Sequence, residues 1–180
     1  MKNRILKYLK IGWYLPLSLM FTGSAFCQMQ PLCFHAPGSS LTIASASGPV
    51  GVCSADFNGD GKADMAVTLD NLNSLAVYMG IGNGTFSTAV NYPVGALPQA
   101  VISGDFNNDT NMDLAVANGN SSNISVLLGS GSGVFATATN YAAATSPRDI
   151  ARADLNGDGN LDLLVANAGS NNVSVFLGTG

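Results

Sequence analysis

The chain contains no glutamate: all eleven of its acidic residues are aspartate. It has one histidine, His35, three cysteines, and seven basic residues in 180. Four of those seven, Lys2, Arg4, Lys7 and Lys10, fall in the first ten residues, leaving Lys62, Arg148 and Arg152 against eleven aspartates. A chain this poor in cations has no basic patch to meet phosphates, which excludes nucleic acid as a partner. With so few titratable side chains besides aspartate, no nucleophile–base pair and no free carboxylate pair can be assembled, so these residues read as non-catalytic. No apolar pattern of helical period runs for a useful length.

The one long apolar stretch is at the start. Basic residues precede an apolar run from Ile11 to about Ala25, which ends in the small residues Gly23, Ser24 and Ala25. Charge, length and exit chemistry together read as a secretory signal peptide over residues 1–27, cleaved after Ala25 or Cys27. The competing reading, a membrane anchor, is disfavoured by the short run and by Pro16 within it. The mature chain is therefore expected outside the cell or on its surface, with no membrane span. Export permits a disulfide between Cys33 and Cys53. Cys53 also reads as a small buried apolar residue, because later copies of its segment carry Ile102 and Ala151.

What the chain has in abundance is aspartate at fixed spacing. Asp56-Phe57-Asn58-Gly59-Asp60-Gly61-Lys62-Ala63-Asp64 returns as 105–113 and again as 154–162, each copy 49 residues after the last. Oxygen-bearing side chains stand at positions 1, 3, 5 and 9 every time. These are Asp56, Asn58, Asp60 and Asp64, then Asp105, Asn107, Asp109 and Asp113, then Asp154, Asn156, Asp158 and Asp162. Only Asp70 and Asp149 lie outside these loops. Three converging carboxylates repel one another unless a cation neutralises them, and hard oxygen donors in this number suit calcium. The plainer reading is a set of Asx turns, since Asp, Asn and Gly favour turns for backbone reasons alone. An EF-hand is excluded: position 12 is Val67, Val116 and Val165 rather than a bidentate acid, and each sits in a strand-like run.

The loops belong to a longer repeat that aligns without a gap. Pro49, Pro98 and Pro147 open the units, a short apolar stretch leads into each acidic loop, and Met65–Val67, Leu114–Val116 and Leu163–Val165 follow as short buried strands. After a turn rich in Asn and Ser come Leu75–Met79, Ile124–Leu128 and Val173–Leu177, then a fixed glycine at 80, 129 and 178. A fourth strand is expected over Thr85–Tyr92 and Val134–Tyr141. Four strands in a unit of this length make a β-propeller blade, so the fold class is all-β, with units at 49–97, 98–146 and 147–180, the last incomplete. Residues 28–48 form a leader in which Ile43 falls at the place of Tyr92 and Tyr141 and is expected to belong to a preceding or completing strand. Phe57, Phe106 and Leu155, at loop position 2, are expected to plug the loops onto the core.

The pattern Pro-x₆-Asp-[Phe/Leu]-Asn-x-Asp-x₃-Asp-[Met/Leu]-[Ala/Leu]-Val, followed by Val-x₃-Gly and Gly-x-Phe, resembles the FG-GAP and VCBS repeat family across residues 49–180. The resemblance implies an exported, integrin-α-like propeller, often seven-bladed, with one Ca²⁺ per loop and up to three in all. By position it implies that the backbone carbonyls of Lys62, Asn111 and Asn160 join the side-chain ligands. It implies a surface for an extracellular protein or carbohydrate ligand, either as an adhesion module or as an accessory domain of a larger polysaccharide-active enzyme. Further blades in a longer chain are expected, because three units leave open sheet edges. The middle loop departs from the pattern, with Asn108 and Thr110 in place of both glycines. If position 6 takes a positive φ, a β-branched Thr there is strained, and the 105–113 site is expected to bind most weakly.

Overall fold

A computed structural model describes residues 41–43 and 47–180. The expected signal peptide, Cys33 and His35 lie outside the described residues. Each unit folds as an antiparallel meander. The first holds β1 (Pro49–Ala55), β2 (Asp64–Leu69), β3 (Ser74–Tyr78) and β4 (Val90–Pro93); the second holds β5 (Pro98–Gly104), β6 (Asp113–Asn118), β7 (Asn123–Leu127) and β8 (Thr139–Ala142). The third has three strands, β9 (Pro147–Ala153), β10 (Asp162–Asn167) and β11 (Asn172–Phe176). Strand order within each sheet follows the sequence, so each is a blade-like sheet built only from hairpins. Among the described residues the sole helical element is a 3₁₀ turn, Asp70–Leu72, and no helix is long and apolar enough to cross a membrane.

The register repeats as the sequence does. Val67 sits opposite Val52 and Ala76, Val116 opposite Val101 and Ser125, and Val165 opposite Ile150 and Ser174. Pairing slips beside each opening proline, at Pro49, Pro98 and Pro147. A proline has no N–H to give the ladder, so it is tolerated where a strand begins or bulges. The hairpins between the second and third strands turn through Asn73, Ser122 and Asn171, with φ of 49°, 50° and 53°.

The fourth strand differs from expectation. It covers only Val90–Pro93 and Thr139–Ala142; the segments before it touch the sheet through single bridges, Phe86 to Gly80 and Phe135 to Gly129. The cause is the glycine turn that precedes each bridge, with φ of 90° at Gly82 and 71° at Gly131. The chain leaves the sheet there and rejoins it several residues later.

The core lies between sheets. Ala66, Leu75 and Val77 of the first sheet pack on Val101, Leu114, Val116 and Leu127 of the second. One repeat on, Ala115, Ala117 and Ile124 pack on Ile150, Leu163 and Val165. Strand alternation explains this: successive residues of a central strand face opposite neighbours, so both faces must be apolar. The other face of the first sheet holds Val67, Leu69, Ala76 and Tyr78, and Ile43 packs against it. The described residues 41–43 form no strand.

Phe57 is buried at 2% exposure and Phe106 packs partly into the second interface, but Leu155 is 48% exposed. The position-2 side chain is a plug between its own sheet and the next. Leu155 belongs to the third unit, and among the described residues no further sheet packs over it. Among the described residues Cys53 has no disulfide partner; it is partly buried, and burial pushes its thiol up to about 11.

Candidate metal centres

Each acidic loop joins the first strand of a sheet to its second, and the three are folded alike. The position-1 carboxylate turns inward and holds the loop's own amides. In the first loop Asp56 Oδ1 accepts the N–H of Gly59 at 2.8 Å and Oδ2 that of Gly61 at 2.7 Å. Asp105 holds the N–H of Thr110 at 2.8 Å, and Asp154 holds those of Gly157 and Gly159 at 2.7 and 3.0 Å. The position-3 amide oxygen accepts the position-5 N–H at 3.0, 3.1 and 3.0 Å in Asn58, Asn107 and Asn156. The position-5 carboxylate accepts the position-7 N–H at 2.9, 2.8 and 2.8 Å in Asp60, Asp109 and Asp158. These are chained Asx turns, in which each side-chain oxygen holds an amide two to five residues further on.

Position 9 behaves differently. Asp64, Asp113 and Asp162 are fully buried at 0% exposure, and each carboxylate spans two segments. One oxygen accepts the position-2 N–H, from Phe57, Phe106 or Leu155, at 2.8, 2.9 and 2.8 Å. The other accepts the N–H of Gly80, Gly129 or Gly178, sixteen residues on, at 2.7, 2.8 and 2.8 Å. This clamp explains the fixed glycine. A Cβ at Gly80, Gly129 or Gly178 would overlap the carbonyl oxygen of Ala63, Met112 or Leu161. The sequence pattern flagged these glycines without their reason; a glycine kept at constant distance from an acidic loop is the signal that could have supplied it.

The carboxylates differ in electrostatics. Asp56 is held below the ordinary carboxylate range chiefly by the Gly61 N–H, Asp109 by that of Asn111 and Asp158 by that of Asn160. Asp60 is lowered by the Lys62 ammonium, 2.9 Å from Oδ2. Lys62 therefore acts on the loop through its side chain. In the other loops the Asn107 and Asn156 amides take the same oxygen, at 2.9 Å each. Asp113 moves the opposite way, raised by burial and by the Asp109 and Asp105 charges, against the pull of its hydrogen bonds.

Among the described residues no group of three or more His, Cys, Asp or Glu side chains is gathered closely enough to hold a metal as it stands. The inward turn of position 1 and the two bonds of position 9 are the reason. The donor set nonetheless fits a hard cation. It is oxygen only, and the carboxyls of Asp56, Asp60, Asp109 and Asp158 are held in the ionised form.

Positions 4 and 6 take the left-handed conformation in all three loops: 73° and 78° at Gly59 and Gly61, 59° and 72° at Asn108 and Thr110, 77° and 87° at Gly157 and Gly159. The Thr at position 6 is thus strained as expected. Replacing Thr110 by glycine is expected to stabilise the chain by about 1–3 kcal/mol, the cost of a non-glycine residue in this region. Gly159→Ala is expected to do the reverse, since a Cβ there meets nothing within 4 Å and only the backbone resists. Paired urea melts of the two variants check both signs.

Tyr92 is a packing residue. Its ring lies edge-on to Phe135 at 5.6 Å, and its hydroxyl accepts the Phe135 N–H at 3.2 Å.

A family described as the FG-GAP-like repeat matches the chain twice, over residues 56–116 and 105–165. No curated protein matches it. Among solved structures, a crystal structure of BBS1N in complex with ARL6DN, soaked with lead, is similar at 15% identity and a TM-score of 0.35. That likeness covers 80% of this chain, which spans 60% of the other.

Proposed function

The chain belongs to the FG-GAP-like repeat family, matched over residues 56–116 and 105–165, and on that premise we propose that it is an exported, non-catalytic propeller segment whose loops bind calcium. The ions would be held by Asp56, Asn58, Asp60 and Asp64 with the carbonyl of Lys62, and by the corresponding residues of the loops at 105–113 and 154–162. Their work is structural: they join the ionised side of each loop and stiffen the edge of the stack. The stiffened surface presents a site for an extracellular protein or carbohydrate, and further blades complete a ring. The observation that carries this reading is the threefold identity of the loops. The same side chains at positions 1, 3 and 5 accept the loop's own amides in every copy, so the oxygen donors recur in one loop conformation.

Calcium calorimetry on the full chain, with melts in calcium, magnesium and chelator, tests it. Two or three sites are expected, with dissociation constants of about 10⁻⁴ to 10⁻³ M and the middle loop weakest. Free calcium at ten times the dissociation constant adds about 1.4 kcal/mol per site. A folded chain that takes up no calcium sinks the reading and leaves the loops as Asx turns. Acid works against site and fold together. The lowered carboxylates of Asp56, Asp60, Asp109 and Asp158 contribute stability that is present above the unfolded value of 3.8 and lost as pH falls through their folded values. Melting points and calcium uptake are both expected to fall below about pH 4.

A further inference from the structure

Four asparagines among the described residues are followed directly by glycine: Asn58, Asn83, Asn118 and Asn156. Glycine leaves the next backbone nitrogen unshielded, so an Asn-Gly peptide is where that nitrogen can close on the side-chain amide. In three of the four the nitrogen is already engaged. The Gly59 N–H donates to Asp56 Oδ1 at 2.8 Å, and the Gly157 N–H donates to Asp154 Oδ1 at 2.7 Å. The Gly119 N–H donates to the Leu97 carbonyl at 2.8 Å, and Asn118 itself is fully buried. The Gly84 N–H meets no acceptor among the described residues, and a Cβ at Gly84 would find nothing within 4 Å.

The side chain of Asn83 is also set up to react. Its Oδ1 accepts the Thr85 N–H at 3.0 Å and the Thr85 hydroxyl at 2.6 Å. Two donors on the amide oxygen withdraw electron density from Cγ, and they stand where negative charge develops as a nitrogen adds to that carbon. Asn83, Gly84 and Thr85 are all exposed, so water reaches the amide. The second unit has no counterpart, since Ser132 stands 49 residues after Asn83. The feature therefore belongs to one turn of the first unit and not to the repeat.

We infer that Asn83 is a site of spontaneous deamidation, with Gly84 supplying the nucleophilic nitrogen and Thr85 the hydrogen bonds that support the step. The Gly84 nitrogen gives its proton to a solvent base and forms a bond to Asn83 Cγ. The side-chain nitrogen takes a proton from water and leaves as ammonia. Water then opens the cyclic imide at either carbonyl, to aspartate or to isoaspartate. The balance is asparagine plus water giving aspartate or isoaspartate plus ammonia, with no oxidant or reductant. Each event adds one negative charge, and the isoaspartate route moves a methylene into the backbone of the turn. The inference is independent of calcium, since the turn contributes none of the acidic-loop oxygens.

The test is incubation of the full chain in mildly alkaline buffer with chelator, followed by peptide mapping with tandem mass spectrometry and an isoaspartate assay. Asn83 is expected to convert about 10- to 100-fold faster than Asn58, Asn118 or Asn156, because each of those glycine N–H groups must first leave its acceptor. In concentrated urea, where these bonds are gone, the four rates are expected to converge. Thr85→Val keeps the side chain's shape and removes its O–H. It is expected to slow Asn83 by about 2- to 10-fold, the scale of one hydrogen bond. Asn83→Gln should remove most of the acidic species that isoelectric focusing resolves in the aged parent. Equal rates at the four positions of a chain that circular dichroism shows to be folded overturn the inference, as does conversion of Asn58 or Asn156 ahead of Asn83. Slower conversion of Asn83 in the folded chain than in urea also overturns it, since the turn would then protect the amide. An unchanged rate in Thr85→Val overturns the part given to Thr85.

Discussion

Asp113→Ala is expected to unfold the second blade, while Asp109→Ala, four residues away, leaves the fold standing. Asp113 is fully buried, and its two oxygens take the N–H groups of Phe106 and Gly129 at 2.9 and 2.8 Å. Alanine leaves both donors without an acceptor, at about 1–3 kcal/mol each. The sum of roughly 2–6 kcal/mol is a large part of the 5–15 kcal/mol that holds a domain. Asparagine should rescue little: its one oxygen can serve one amide, but its own NH₂ then faces the other donor. Asp109 is exposed, and its bonds lie within one surface loop. Urea melts in chelator should therefore separate the two variants widely, and calcium should raise the melting point of the parent but less that of Asp109→Ala. Equal melting of Asp113→Ala and the parent would remove the clamp from the account of the fold.

The second large effect lies between the sheets. Phe57→Ala is expected to cost about 3–5 kcal/mol, the usual range for emptying a buried aromatic site. Phe57 is 2% exposed and meets Phe135 edge-on, with ring centroids 5.4 Å apart at 79°. Leu155→Ala, at the same loop position in the third unit, is expected to stay within about 0.5 kcal/mol, because Leu155 is 48% exposed. A double-mutant cycle of Phe57→Ala with Phe135→Ala should return a coupling of about 0.5–1.5 kcal/mol. Similar costs at Phe57 and Leu155 would mean that the plug serves its own loop and not the neighbouring sheet.

Much of this was legible in the residues. Thr110 shows how a local rule transfers: position 6 is glycine in two copies, so its φ could be anticipated, and it is 72°. The second and third strands fell where their apolar runs stand, because alternation and short polar turns are properties of neighbouring residues. The fourth strand was overextended, since Thr85 and Val134 have strand-like side chains but follow glycine turns that carry the chain off the sheet. Propensity describes a residue, and the sheet edge it needs is a tertiary object.

The acidic residues divide along the same line. The bonds of positions 1, 3 and 5 run two to five residues along the chain, so spacing alone determines an Asx-turn loop. Position 9 looked like one more member of that set. Its second partner is sixteen residues away on the glycine that ends the third strand, and only sheet formation brings the two together. Likewise Phe57, Phe106 and Leu155 occupy one position in three copies, and whether each is a plug or an exposed side chain depends on the presence of a neighbouring sheet. The sequence by itself determined the repeat, the strands and the loop conformation, since these rest on interactions within a few residues. Tertiary structure decided which aspartate is a clamp and which aromatic is core, because those properties arise only when distant segments exclude water together.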